Sequence, residues 1–295
     1  MTDGPMRSRG AADEGGRDRD RQRPPAPEPL PHPVVDNHCH LDFADGDWLD
    51  TANAIDRAAA VGVPRIVQIG CDLPGARWAV DAARDHVALV AGVALHPNEA
   101  PRLAAEGRLE EALAEIERLA RAHDRVRAVG ETGLDHFRTG PDGRVAQVES
   151  FVRHVDLAKR LDKTLVIHDR DAHDEVLDVI DAEGAPERWV MHCFSGNPRF
   201  ARACLDRGAY LSFAGTVTFK NAQPLRDALL VTPQDRVLVE TDAPFLTPSP
   251  YRGRPNASYL VPVTMRAMAE VRGDDLADLC AAVDDNTERA FGGSW

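Results

Sequence analysis

Short apolar runs alternate with amphipathic stretches along the chain from residue 34 onward. The apolar runs are Val34–Asp36, Arg65–Ile69, Val87–Ala94, Arg125–Gly130, Thr164–Ile167, Arg188–Met191, Ala209–Phe213 and Arg236–Val239. Helical stretches are predicted near 48–61, 75–85, 106–123, 144–162, 172–183, 197–207, 222–230, 257–272 and 274–291. Buried strands that alternate with helices predict βα units and a parallel sheet. Eight such units indicate an α/β fold of the closed (β/α)8 TIM-barrel type. The first apolar run is not followed by a G-x-G-x-x-G fingerprint, which argues against an open dinucleotide-binding sheet.

The first 33 residues differ from the rest in composition. They are rich in Arg, Asp, Gly and Pro and contain almost no aliphatic residues. Such a segment buries too little apolar surface to offset its chain entropy. We therefore expect a disordered N-terminal extension over 1–33 and a single barrel domain over 34–295, and we expect removal of 1–33 to leave activity intact.

Charge and cysteine usage narrow the setting of the protein. The net charge is −13, which argues against simple electrostatic capture of nucleic acid. Five cysteines without framework spacing indicate a reduced, cytoplasmic compartment rather than disulfides. No apolar run approaches the roughly 18 residues of a membrane span, so we expect no membrane association. The sequence does not determine the oligomeric state, and a monomer is compatible with it.

Polar residues with metal-binding chemistry follow the predicted strands. They are His38 and His40, His96, Glu131 and Asp135, His168, His192, and Glu240 and Asp242. The carboxyl ends of the strands meet at one face of such a barrel, where active sites lie. His38 and His40 are one residue apart and share a strand face. Four histidines and two carboxylates exceed the three protein ligands usual for one catalytic zinc, so the sequence predicts two divalent metals.

The chain resembles the TatD family of metal-dependent deoxyribonucleases, within the amidohydrolase-like metallo-dependent hydrolase barrels. The resemblance covers about residues 34–292. The motifs that carry it are Asp36–Asp42, Val129–Asp135, His192–Gly196, Glu240–Leu246, Tyr251–Gly253 and Asn286–Thr287. Departures at Asn37, at His136-Phe137 and at Ala257-Ser258 remove no ligand and put only the substrate preference in doubt.

The resemblance implies a ligand set for each metal. His38, His40, Glu131 and Asp242 would bind one, and Glu131, His168 and His192 the second, with Glu131 bridging. The metal identity stays open between magnesium, manganese and zinc.

Further roles are hypotheses from position. Asp242 would also be the general base, and His96 would contact the scissile phosphate or the leaving oxygen. Asp36 would lie beneath the metals as an orienting group, and Asp135 is expected in the shell around the ligands. Cys39 and Cys193 are expected to point into packing.

Basic and aromatic residues in the loops after the strands suggest a rim that binds substrate. Arg170 and Arg252 are the predicted substrate contacts beside His96, because arginine suits bidentate contact with phosphate. The other loop residues of this kind are Arg138, Lys220, Arg254, Phe137, Phe219 and Tyr251. The histidines on predicted helices or their ends (His86, His123, His154 and His173) are expected at the surface.

The sequence thus predicts a metal-dependent hydrolase, a deoxyribonuclease that cleaves phosphodiester bonds with a hydroxide activated by two metals. DNA is the expected substrate, with RNA as an alternative. The 3′–5′ exonuclease direction is implied by the resemblance alone. Two rivals stay open: a two-metal ester or amide hydrolase such as an aminoacyl-tRNA deacylase, and a catalytically inactive binding barrel.

Overall fold

Eight parallel strands form the centre of the molecule. The computed structural model describes residues 5–11, 18–292 and 295. The strands are β1 Val35–Cys39, β2 Arg65–Gly70, β3 Leu89–Val93, β4 Val126–Asp135, β5 Thr164–Arg170, β6 Trp189–Met191, β7 Tyr210–Phe213 and β8 Val237–Val239. Each strand pairs in parallel with its neighbour in the chain. The eight predicted strands and the barrel are therefore confirmed.

The sheet closes at its carboxyl end through residues that follow β8. Asp242 donates its backbone N–H to the carbonyl of His38 at 2.9 Å, and His40 donates to the carbonyl of Ala243 at 2.8 Å. The Asn37 side chain donates to the carbonyl of Val239 at 2.6 Å. Three predicted metal ligands, His38 and His40 at the end of β1 and Asp242 after β8, thus belong to the seam that joins the barrel edges.

Helices cover the outside of the sheet. Their bounds are α1 Thr51–Ala59, α2 Leu73–Asp85, α3 Glu99–Ala105, α4 Leu109–Ala120, α5 Pro141–Leu161, α6 His173–Glu183, α7 Pro198–Leu205, α8 Gln223–Val231, α9 Val261–Arg272 and α10 Leu276–Phe291. The predicted helices are confirmed to within a few residues, but α3 was not predicted. Side-chain N-caps begin several of them: Asp50, Asp72, Asn197 and Asp275 each accept backbone N–H groups of the first turn. Such a cap typically stabilises a helix by about 1 kcal/mol.

One histidine on a helix lies in the core rather than at the surface. His154 of α5 is fully buried, and its Nε2 accepts the backbone N–H of Leu95 at 3.2 Å. The prediction of a surface position was wrong because the helical pattern does not show that the end of β3 offers an unpaired N–H there. Burial lowers the pKa of His154 to about 4, so the ring is a neutral acceptor.

The N-terminal segment lies against the barrel over most of its described length. Leu30 is buried, Tyr259 donates its hydroxyl to the carbonyl of Pro24 at 2.6 Å, and Arg266 donates to that of Pro29 at 3.0 Å. Arg7–Ser8 forms a two-residue parallel strand with Phe43–Ala44. The expectation of disorder therefore does not hold for 18–33, because arginines and prolines of this stretch find partners on the barrel. Residues of 5–11 also contact the loop that follows His40. The rest of that prediction falls on 1–4 and 12–17, outside the described residues.

Across the described part of the chain, none of the helices combines the length and the apolar character needed to cross a membrane.

Candidate metal centre

The carboxyl ends of the strands bring the predicted ligands into one group around Glu131. Its Oε1 is 3.6 Å from Nε2 of His38 and 3.6 Å from Nε2 of His40. Its Oε2 is 2.9 Å from Nε2 of His192 and 3.2 Å from Nδ1 of His168. The two oxygens of one carboxylate therefore face two different sets of imidazoles.

Irregularities in the strands aim these side chains. Between Gly130 and Thr132 of β4 the pairing with β5 advances two residues against one, which is a bulge at Glu131. A second register shift lies between Asp36 and Cys39 of β1. Bulges re-aim side chains and recur beside active sites. Asp242 has φ +54°, in the left-handed region that aspartate tolerates better than most residues, at the turn that follows β8.

Close approach of β4 to β5 requires glycine beyond the bulge. Gly133 has φ +133°, and a Cβ built there would lie 2.1 Å from the carbonyl oxygen of His168. Only a residue without a side chain lets the backbone that carries Glu131 run this close to the backbone that carries His168. The glycine of the Glu131–Asp135 motif is thus a condition for the geometry of both ligands.

The first cluster consists of His38, His40 and Asp242 beside Oε1 of Glu131. Asp242 Oδ1 lies 3.3 Å from Nε2 of His40 and 3.9 Å from Nε2 of His38. Neither ring nitrogen of His38 has a hydrogen-bond partner among the described atoms, although the residue is fully buried. A buried imidazole without a partner is costly, and a cation between these atoms would satisfy it.

The second cluster consists of His96, His168 and His192 beside Oε2 of Glu131. Nε2 of His96 is 4.0 Å from Oε2, and the rings of His96 and His168 have centroids 4.6 Å apart. The ring of His192 stacks on that of His38 at 3.8 Å, so the two clusters share a wall. The side chains of His96 and His168 are each 18% exposed, whereas those of His38 and His40 are 0% and 3% exposed. The second cluster is the more open of the two.

Two of the histidines, His40 and His192, are held at Nδ1 by an acceptor. Nδ1 of His40 lies 3.0 Å from the carbonyl of Ile69, and Nδ1 of His192 lies 3.1 Å from Oε1 of Glu240. Nε2 of His168 lies 3.5 Å from Oδ2 of Asp135, without a hydrogen bond between them. In His40 and His192, a proton on Nδ1 leaves the lone pair of Nε2 pointing at Glu131, the arrangement found around metal-bound histidines.

His96 has the opposite arrangement. Its Nδ1 accepts the backbone N–H of Asn98 at 3.1 Å. Burial lowers its pKa to about 3, so the neutral ring carries its proton on Nε2, the nitrogen that faces the centre. His96 is therefore placed to donate a hydrogen bond rather than to offer a lone pair.

Electrostatics within the group favour charged carboxylates and raise the pKa of His40, His168 and His192 in the metal-free protein. Burial alone would raise the pKa of Glu131, but His192, His96 and His168 outweigh it and hold that pKa well below its usual value. Burial alone would lower the pKa of His40, but Asp242 and Glu131 outweigh it and raise the pKa to about 9. A divalent cation can replace these protons as the partner of the carboxylates.

Cys71 was missed in the sequence, and Glu240 was named among the strand-end residues without a role. Cys71 follows β2 directly, and its Sγ lies 3.1 Å from Oε1 of Glu131 and 3.5 Å from Nδ1 of His40. Glu240 is fully buried and holds both Nδ1 of His192 and the backbone N–H of Cys193, the latter at 2.9 Å. Cys71 follows a strand directly, so the rule that located the predicted ligands applies to it as well.

The remaining orienting residues lie near their expected places. Asp36 accepts the backbone N–H of Thr241 at 2.9 Å and its hydroxyl at 2.6 Å, so it fixes the turn that leads to Asp242. Burial raises the pKa of Asp36 to about 6. Asp135 contacts His168, as expected of a residue around the ligands. Cys39 is buried in the core, whereas Cys193 is partly exposed and has φ +44°.

The loop arginines have separate environments. The guanidinium of Arg170 lies 3.8 Å from the ring centre of the exposed Phe137, and that of Arg252 lies 4.3 Å from the ring centre of Phe219. Arg254, expected in the same rim, instead donates to the carbonyl of Gln22 at 2.7 Å. It is therefore a contact of the N-terminal segment, which the sequence had indicated to be disordered.

Comparisons with known proteins agree on one family. Residues 35–292 match the family described as TatD related DNase. A protein of Mycobacterium tuberculosis named as an uncharacterized metal-dependent hydrolase TatD is 45% identical over 267 residues, which cover 89% of this chain and 99% of that protein. A protein of Escherichia fergusonii named as a 3′-5′ ssDNA/RNA exonuclease TatD is 32% identical over 254 residues, which cover 83% of this chain and 94% of that protein.

A solved structure shows the same fold. The crystal structure of a TatD homolog from Escherichia coli K12 superposes with a TM-score of 0.81 at 26% identity and covers 88% of this chain and 98% of its own. The family match spans all the strand ends described above. The chain therefore belongs to the TatD-related DNase family of metal-dependent hydrolases.

Proposed function

We propose that this hydrolase cleaves phosphodiester bonds of nucleic acid at a two-metal centre held by the two clusters. The observation that carries the proposal is the bridging position of Glu131, whose two oxygens face separate sets of ring nitrogens. His38, His40 and Asp242 would hold one cation and His168 and His192 the other. Nitrogen and oxygen donors in this mixture suit zinc and manganese, and the carboxylates also accept magnesium.

The donor set fits such cations on two independent grounds. His38 is buried with no hydrogen-bond partner among the described atoms, and His40 and His192 are oriented with a lone pair toward Glu131. Two bound divalent cations would lower the pKa of water and neutralise negative charge on a phosphate. Residues of the protein would bind the substrate and accept the proton of the attacking water.

Asp242 is the proposed general base. Burial would raise its pKa, but His40, His192 and His38 outweigh this and lower it, so the carboxylate is ionised near neutral pH. Its side chain is 15% exposed at the mouth, which leaves an oxygen accessible to an attacking water molecule. The proton of that water would pass to a carboxylate oxygen of Asp242.

His96 and the loop arginines are the proposed substrate contacts. The Nε2–H of His96 would donate to a phosphate oxygen or to the leaving oxygen, since its Nδ1 is already occupied by Asn98. Arg170 lies two residues after His168 in β5 and would bind a neighbouring phosphate, as would Arg252. Phe137, below Arg170, offers an exposed ring on which an unpaired base can stack.

The name of the Escherichia fergusonii relative supports single-stranded nucleic acid, DNA or RNA, as substrate and cleavage from the 3′ end. The test is the product pattern from metal-loaded protein on single-stranded DNA labelled at either end. A 3′–5′ exonuclease releases a 3′ label at once as a mononucleotide and shortens 5′-labelled strands stepwise. RNA of the same sequence and an aminoacyl ester are tested in parallel. Asp242→Asn protein purified by the same procedure controls for contaminating nucleases. Intact DNA and RNA beside a cleaved aminoacyl ester would refute the nuclease proposal.

A further inference from the structure

The N-terminal segment forms a strap along the loop that follows His40. The strap is defined as residues 5–9 and 19–23. Its residues Arg7–Ser8 pair in parallel with Phe43–Ala44, and Arg9 donates its backbone N–H to the carbonyl of Ala44 at 2.9 Å. The strap lies outside the stretch that matches the family, which starts at residue 35. Any role of the strap is therefore particular to chains with such an extension.

The strap brings arginines to buried carboxylates beside the first cluster. Asp42 is fully buried, and Arg7 donates to its Oδ2 through Nε at 3.0 Å and through a second, shorter contact. Asp45 is 1% exposed, and Arg19 donates to both of its oxygens, at 3.1 and 2.5 Å. A carboxylate out of water needs such a partner to stay charged.

Among the strap arginines that contact the carboxylates of Asp42 and Asp45, Arg9 is the one bound least closely. Arg9 reaches Asp45 only at 3.3 Å, on an oxygen that Arg19 already binds more closely. Arg7 has a second carboxylate neighbour, Asp72, at 3.3 Å, but that side chain also caps α2. The side chain of Arg9 is 31% exposed, whereas that of Arg19 is 4% exposed.

Arg9 is also close to the catalytic mouth. Its guanidinium lies 5.1 Å from the ring centre of Phe245, and it donates to the carbonyl of Pro244 at 3.2 Å. The ring of Phe245 in turn lies 6.2 Å from that of His40, and it meets the ring of Phe43 edge-on at 5.6 Å. Phe43 and Phe245 are both partly exposed, so an arginine and two aromatic rings border the first cluster on this side.

We propose that Arg9 and the Phe43–Phe245 ring pair form a subsite for a nucleotide of the substrate next to the one that is cleaved. The guanidinium would bind a backbone phosphate, and the rings would contact its base or sugar. Arg7 and Arg19 are positioning residues that hold the loop carrying Phe43 by neutralising Asp42 and Asp45. The proposal rests on the proposed nuclease function for the identity of the ligand.

The test is binding of a fluorescein-labelled, ten-nucleotide single-stranded phosphorothioate DNA to metal-loaded full-length protein, measured by fluorescence anisotropy at several salt concentrations. For Arg9→Gln we expect Kd to rise about three- to tenfold and the slope of log Kd against log salt to fall by about one. Arg9→Lys, which keeps the charge, should recover most of the affinity. The matched control is Arg84→Gln, because Arg84 pairs with Asp81 in the last turn of α2, at the opposite end of the barrel.

The outcomes separate the two proposals. Unchanged affinity and salt slope for Arg9→Gln, or an equal loss for Arg84→Gln, would overturn the subsite. A metal content below that of the wild type in Arg9→Gln would also overturn it, since the effect would then pass through the metal centre. If the wild type binds the oligonucleotide but cleaves no nucleic acid, the nuclease function fails while the Arg9 comparison still decides the subsite.

Discussion

The two clusters around Glu131 differ in how the fold holds them. The first takes His38, His40 and Asp242 from the seam between β1 and the end of β8, where backbone hydrogen bonds join the same residues. The second takes His96, His168 and His192 from three separate strands and is more exposed. A site whose ligands are linked by the backbone loses less conformational freedom on binding a cation. We therefore expect the first cluster to bind its cation more tightly and the second to be the side where substrate and solvent enter.

Replacement of Glu131, the proposed ligand shared by the two clusters, should remove most of the activity and the difference in cation affinity between the clusters. For Glu131→Gln we expect a loss of about 10³-fold or more in kcat, because a neutral amide cannot compensate two cations. Metal analysis of the dialysed protein should show fewer than two equivalents bound. Two retained equivalents with near wild-type turnover would show that Glu131 does not link the clusters.

Replacement of the proposed base should separate catalysis from metal binding. Asp242→Asn keeps an oxygen near His40 but cannot accept a proton, so we expect kcat to fall by about 10²- to 10⁴-fold. The measurement is turnover at saturating substrate together with metal content. Metal retained beside near wild-type turnover would refute the role of Asp242 as base.

The two clusters also differ in what holds their histidines. His40 is held by the backbone carbonyl of Ile69, which no side-chain substitution removes, whereas His192 is held by the carboxylate of Glu240. For Glu240→Gln we expect about 10- to 100-fold weaker binding of the cation at the second cluster, which contains His192, and little change in the affinity of the first cluster. Competition with a chelating dye measures both affinities.

A matched control for that variant is Glu288→Gln. Glu288 is an exposed glutamate of α10 that pairs with Arg65 at 2.7 Å, at the start of β2 and so at the opposite end of the barrel. Equal weakening of both cations in Glu240→Gln would show that the clusters are not independent.

Strand ends were predictable from the sequence, and so was the face they share, because hydrophobic runs and the βα rhythm are local signals. The strap was not, since its arginines find Asp42 and Asp45 more than 25 residues away and composition alone indicated disorder. His154 was misplaced for the same reason: its partner, the N–H of Leu95, is distant in sequence. Cys71, which directly follows β2, shows that the rule of strand ends was applied to too few residues.

The affinity of the first cluster for its cation should depend on pH, because His40 is protonated in the metal-free protein. The pKa of His40 is about 9 and that of His96 about 3. At pH 7 the imidazole of His40 is therefore protonated and charged in the metal-free protein, whereas that of His96 is neutral. A cation in the first cluster must displace the proton of His40, so its affinity should rise about tenfold per pH unit and level off near pH 9. Calorimetry in two buffers of different ionisation enthalpy counts the protons released at pH 7. His40→Ala should lower that count by about one while His96→Ala leaves it unchanged, and an equal decrease in both would mean that the two rings share one role toward the metals.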